Sequence, residues 1–171
     1  SRVCLATLVE QEEHTVSVTQ LKEVPGRAAI DCMYYVATRD FMEKWDEAKR
    51  GELECRMERS IGGLPRYESI ETMLELMDEA DVQKVFIAQC KMWSHKRQWM
   101  YMDTKLDDVL QYTNRFPDRF YGLAGYNPFA ITESLREIEV AVREHGFKGV
   151  YVHIYGFDIP LTDRKMYPLY A

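Results

Sequence analysis

The sequence is short of several things that would have announced a function. No run of about 18 apolar residues occurs, so nothing reads as a membrane-spanning helix. Lys and Arg number 22 against 28 Asp and Glu, for a net charge of −6, so the basic face of a nucleic-acid binder is missing. The nearest basic cluster, Lys91, His95, Lys96 and Arg97, is small. The four cysteines, Cys4, Cys32, Cys55 and Cys90, are widely spaced. They form neither a C-x-x-C pair nor a zinc-finger pattern, and they read as reduced thiols of a cytoplasmic protein. There is no Gly-x-Gly-x-x-Gly, no phosphate-cradling loop and no nucleophile elbow. Histidine is scarce, at four residues.

What is present fits a globular protein: 171 residues, 46% hydrophobic and 29% charged. The length suits one domain. The chain opens on Ser1 rather than Met, with no signal-peptide pattern, so processing or a boundary beyond the natural start is expected. Residues 1–27 read as an N-terminal hairpin, because Thr15-Val16-Ser17-Val18-Thr19 alternates with period two after a polar break at Glu10–Glu13. Ala28 to Val36 is a compact apolar run expected to form a buried strand. Arg39 to Arg59 carries the spacing of an amphipathic helix, and Gly62-Gly63 with Pro65 breaks the chain.

Ser69 is placed to cap a helix carrying Ile70, Met73, Leu74, Met77 and Ala80, followed by a strand at Val85–Ala88. Thr104, with Asp107 three residues on, is expected to start a second helix, and Phe116-Pro117 to end it. Phe120–Ala124 is the next strand and Asn127-Pro128 a turn. Thr132 is expected to cap a helix that Gly146 stops. Gly149–Ile154 is a further strand, and Tyr167–Ala171 begins another helix. This β-α-β-α-β-α-β order implies a mostly parallel sheet with helices outside and right-handed crossovers.

Three stretches resemble the second amidohydrolase family of metal-dependent barrel enzymes, which includes hydrolases and non-oxidative decarboxylases. They are Leu74–Val85, Phe116-Pro117-Asp118-Arg119-Phe120-Tyr121-Gly122-Leu123-Ala124, and Gly146-Phe147-Lys148-Gly149-Val150 followed by Asp163 and Tyr167–Ala171. The resemblance implies an α/β fold of amidohydrolase type, a parallel (β/α) barrel cut to its N-terminal half over residues 28–171. It implies hydrolysis or decarboxylation of a small carboxylated molecule, with aromatic ones among the candidates.

It also implies a His-x-His metal pair two residues after an Ile-Asp on the first strand. Ile30-Asp31 is here, but Met33 and Tyr35 hold the ligand positions. A thioether and a phenol of pKa near ~10 do not replace neutral imidazole on zinc. The remaining family ligands would lie past Ala171. This chain is therefore expected to supply no metal ligand, and a divalent metal such as zinc would need ligands from elsewhere. A complete barrel takes about 200 residues or more. The chain is thus a fragment, a half that joins a homo- or hetero-oligomeric partner chain, or an open sandwich. The alternative function is a non-catalytic, barrel-derived subunit that stabilises an active partner.

Five side chains stand out. His153 lies near the C-terminal end of the last strand, where it would act as general acid or base, or serve as a core histidine. Met33 and Tyr35 alternate onto one strand face, as pocket lining or as barrel filling, and Asp31 is expected to share that face or pair with a base. His95 follows the second strand with Trp93, Trp99 and Tyr101, on a loop that covers a substrate or touches another chain. His14 and His145 carry no expected role.

Overall fold

A computed structural model describes residues 29–35, 38, 43, 47, 51, 55 and 69–171. The expected hairpin over 1–27 and the break at 61–65 lie outside the described residues. Glu43, Glu47, Gly51 and Cys55 are helical and exposed, in keeping with the solvent side of the helix expected over 39–59.

The chain runs β1 (Ala29–Tyr34), α1 (Ile70–Glu79), β2 (Val82–Ala88), β3 (Lys91–Ser94), β4 (Trp99–Asp103), α2 (Leu106–Thr113), β5 (Phe120–Gly125), α3 (Ile131–Arg143), β6 (Gly149–Tyr151), α4 (Ile154–Phe157), a 3-10 turn (Arg164–Met166) and α5 (Tyr167–Tyr170). Strands β1-β2-β5-β6 form one sheet in that order, every pair parallel. This is an α/β half-barrel. Its outer face is a closed core: Val85 and Ile87 of β2 and Phe120 and Ala124 of β5 lie buried in one cluster with Met73 and Met77 of α1, Val109 and Leu110 of α2, and Ala141 of α3.

Local chemistry explains most element ends. Ser69 accepts a hydrogen bond from Thr72 N and starts α1, as expected. Thr104 does not cap α2: it is buried and its N–H donates to the Cys90 carbonyl, so the helix starts one residue later, with Asp108 accepting from the Lys105 N–H. Thr132 likewise falls inside the first turn of α3, whose N-cap is Ala130. Gly146, at φ +68°, reverses the chain two residues past the C-cap Glu144. Strand β6 stops at Tyr151 rather than reaching Ile154, because the chain turns at His153 into α4.

The largest departure from expectation is residues 91–103. They are not a loop but an antiparallel hairpin, with Met92 opposite Met102 and Ser94 opposite Trp99. Its tip, His95-Lys96-Arg97-Gln98, contains neither Gly nor Asn. Gln98 takes the left-handed backbone conformation at φ +55°, and its N–H donates to the Ser94 carbonyl. A turn without its usual residues gives no sequence signal.

Two glycines are required by close approach. A Cβ on Gly125 would lie 2.1 Å from the Gln89 carbonyl oxygen, so the tips of β2 and β5 meet only because Gly125 has none. A Cβ on Gly122 would lie 2.5 Å from the Phe147 ring, which packs there under the end of α3. At the opposite end of the sheet, Arg119 binds the Gln83 and Val82 carbonyls and the Asp78 carboxylate, fastening β5 to the α1–β2 turn.

Candidate functional site at the C-terminal end of the sheet

Strands β1 and β6 are the two edges of the sheet. Laid flat, four strands would hold those edges about 14 Å apart, at roughly 4.8 Å per strand. The sheet instead curves so far that Tyr35, just past β1, and Tyr151, at the end of β6, join their hydroxyls. Their rings meet edge-on with centroids 5.8 Å apart. His153 completes a triangle, with its ring 6.3 Å from Tyr35 and 6.1 Å from Tyr151. Tyr35 also donates to the Met33 sulfur at 3.6 Å. The three rings therefore stand over the concave face at the C-terminal strand ends, the end of such sheets where ligands bind.

All three rings are held neutral. Burial pushes the Tyr35 phenol far up, and the nearby Cys90 and Tyr151 push it further. Burial also raises Tyr151, although the hydrogen bond with Tyr35 opposes it. Burial lowers His153, so its imidazole is uncharged near neutrality. Its Nδ1 is buried and has no hydrogen-bond partner among the described residues. That atom lies against Gly156, where an added Cβ would come within 2.8 Å of it. Cys90 is fully buried, and burial raises its thiol as well.

A second polar group supports the floor of the site. Gln89 is fully buried: its amide oxygen accepts from Gly125 N at 2.9 Å and its nitrogen donates to Glu137 at 2.8 Å. Lys91, almost as buried, bridges Asp103 at 3.2 Å and Glu137 at 3.1 Å. Burial works against ionisation of Asp103, but Lys105 and Lys91 outweigh it and hold its carboxyl below the usual range. This network ties the β3–β4 hairpin to α3 and leaves its only buried cation, among the described residues, fully engaged.

The five side chains singled out in the sequence divide accordingly. Tyr35, Met33 and His153 come together. Asp31 does not follow the alternation that would put it beside them. It pairs with Val85 while Tyr34 pairs with Ile87, so three steps on β1 match two on β2 and the face changes in between. Its carboxylate accepts from Met33 N, a local contact. His95 belongs to a different cluster: Nε2 donates to the Phe157 carbonyl at 2.9 Å, and the ring edges against Phe129, which also contacts Trp93 and Phe157.

Sequence reading missed Tyr151. Its signal was available, because Tyr151 and His153 are two residues apart in sequence, as Met33 and Tyr35 are. It also missed the Gln89–Lys91–Glu137 network, which joins residues too far apart in sequence to suggest one another.

These residues do not fit a divalent cation. Among the described residues, no three His, Cys, Asp or Glu side chains gather as such a site requires. At the strand tip the oxygen donors are phenols that keep their protons.

No family model and no curated protein matches the chain. Solved structures do match its fold. One is 5-carboxyvanillate decarboxylase from Sphingomonas paucimobilis, at 17% identity and TM-score 0.55, covering 82% of this chain and 47% of that one. A second is 5-carboxyvanillate decarboxylase from Novosphingobium aromaticivorans, complexed with manganese and 4-hydroxy-3-methoxy-5-nitrobenzoic acid, at 20% identity and TM-score 0.53, covering 85% and 47%. A third is 2,6-dihydroxybenzoate decarboxylase complexed with 2,6-dihydroxybenzoate, at 14% identity and TM-score 0.50, covering 84% and 46%. The chain spans about half the length of these structures. At such identities the likeness is one of fold, and the chain is an α/β half-barrel of the kind these decarboxylases contain.

Proposed function

We propose that this chain is half of an amidohydrolase-related protein that holds a small carboxylated, aromatic molecule at the C-terminal end of its sheet, within a hydrolase or non-oxidative decarboxylase. The observation that carries the reading is the meeting of Tyr35, Tyr151 and His153 over the concave face. Aromatic walls with a few polar atoms suit an aromatic acid. The fold likeness to decarboxylases of aromatic acids supports the same ligand class. A divalent metal enters only if residues outside those described, or a partner chain, hold it.

Titration of the chain with 5-carboxyvanillate and 2,6-dihydroxybenzoate, with and without Mn²⁺ or Zn²⁺, tests the proposal, with release of CO₂ followed in parallel. Saturable binding of either acid is expected. Binding with turnover makes the chain sufficient for catalysis. Binding without turnover assigns it a subunit's role beside an active partner. If neither acid binds under any of these conditions, the reading is wrong.

A further inference from the structure

The hydroxyl chain at the strand tips ends on a poor acceptor. Tyr35 and Tyr151 share one hydrogen bond between them, and the remaining proton of the pair goes from Tyr35 to the Met33 thioether. Thioether sulfur is a weak acceptor, whereas a carboxylate oxygen binds a hydroxyl proton about twice as strongly as a neutral partner does. Met33 is 49% exposed on the concave side, so an incoming group reaches this proton by displacing the Met33 sulfur, the buried Cys90 thiol being the other weak acceptor beside Tyr35. The nearest buried cation in the floor, Lys91, is already committed to Asp103 and Glu137.

We infer that the Tyr35–Tyr151 hydroxyl pair is an anion-binding device that takes the carboxylate of an aromatic acid directly, in the place where related barrels would use a cation, with Met33 as the stand-in acceptor that the ligand replaces. The inference rests on the proposed function for the occupant of this face. It adds that recognition is metal-independent and made by phenols. The rings of Tyr151 and His153 then flank the aromatic ring of the ligand.

The test is calorimetric titration of the chain with 2,6-dihydroxybenzoate in excess EDTA, with resorcinol, the same ring without the carboxylate, as control. Binding is expected in EDTA, unchanged by Mn²⁺ added in place of the chelator, and at least about tenfold weaker for resorcinol. Tyr35→Phe and Tyr151→Phe keep both rings and are each expected to weaken the acid about tenfold, with melting curves showing that the variants remain folded. Met33→Leu removes the competing acceptor and is expected to tighten binding, an outcome that a purely structural role for these residues would not give. Binding that requires Mn²⁺, or that Tyr35→Phe leaves unchanged, overturns the inference while the proposed function stands. Failure of 2,6-dihydroxybenzoate to bind with or without metal overturns the inference, and failure of 5-carboxyvanillate as well overturns both.

Discussion

Along β2, Val85 and Ile87 are buried beneath the helices, while Lys84 and Phe86, which alternate with them, remain half-exposed on the concave side. The same contrast holds on β5, where Phe120 and Ala124 are buried and Tyr121 and Leu123 are not. One face of the sheet is packed like a finished protein interior. The other is lined by aromatic and charged groups that pair among themselves: Phe86 with Tyr121, Lys84 with the Tyr121 hydroxyl, and Tyr35 with Tyr151. Stability therefore comes mainly from the helix side, while the proposed ligand site lies on the concave side. Substitutions on the two faces should separate accordingly.

The largest effect is expected where the faces share a constraint. Gly125→Ala drives a methyl into the Gln89 carbonyl and splays β2 from β5. It should cost more than about 4 kcal/mol in denaturant unfolding, or prevent folding altogether. Next, Ile87→Ala on the helix face should cost about 2–5 kcal/mol, because the side chain is wholly buried in close-packed surroundings. Ile30→Ala, at an exposed position on the edge strand, should stay within about 0.5 kcal/mol. Equal losses at the two isoleucines would erase the distinction between the faces.

Lys91→Met leaves Asp103 and Glu137 facing each other without their shared cation. Discounted for the partial exposure of both acids, the loss should be about 2 kcal/mol in the same assay. The smallest effect is one of pH. Burial lowers the folded-state pKa of His153 below its unfolded value, so the unfolded chain binds the proton more readily. The contribution of His153 is fully present above about pH 6.5 and is lost as pH falls through the folded pKa. Melting temperature should fall on acidification across that window, and His153→Gln should flatten this part of the profile. A variant with an unchanged slope would show that the imidazole is not desolvated as the structure has it.

Much of the fold was legible in the sequence because the signals were local. Ser69 caps its helix, Gly146 ends another, and alternating strand and helix periods gave the parallel sheet. The misplaced helix starts have different causes: Thr104 is buried with its N–H engaged by the Cys90 carbonyl, whereas at Thr132 the helix has already begun after Ala130. The β3–β4 hairpin was hidden because Gln98 adopts a conformation that glycine or asparagine usually signals. The candidate site was half legible. Met33 and Tyr35 were found from one strand and His153 from another. That these strands are the opposite edges of a sheet curved enough for Tyr35 to meet Tyr151 depends on the whole sheet, and no local pattern carries it. Strict alternation would have kept Asp31 on that face, and the register irregularity after Asp31 breaks it.

The central claim is that the oxygen donors at the strand tips are protonated phenols rather than metal ligands. Its most direct test is the divalent-metal content of the purified chain after equilibration with Mn²⁺ or Zn²⁺ and gel filtration. The account predicts metal well below one equivalent per chain, with no change in Tyr35→Phe, Tyr151→Phe or His153→Gln. A tightly held equivalent of metal that disappears on substituting any of these three residues would contradict it.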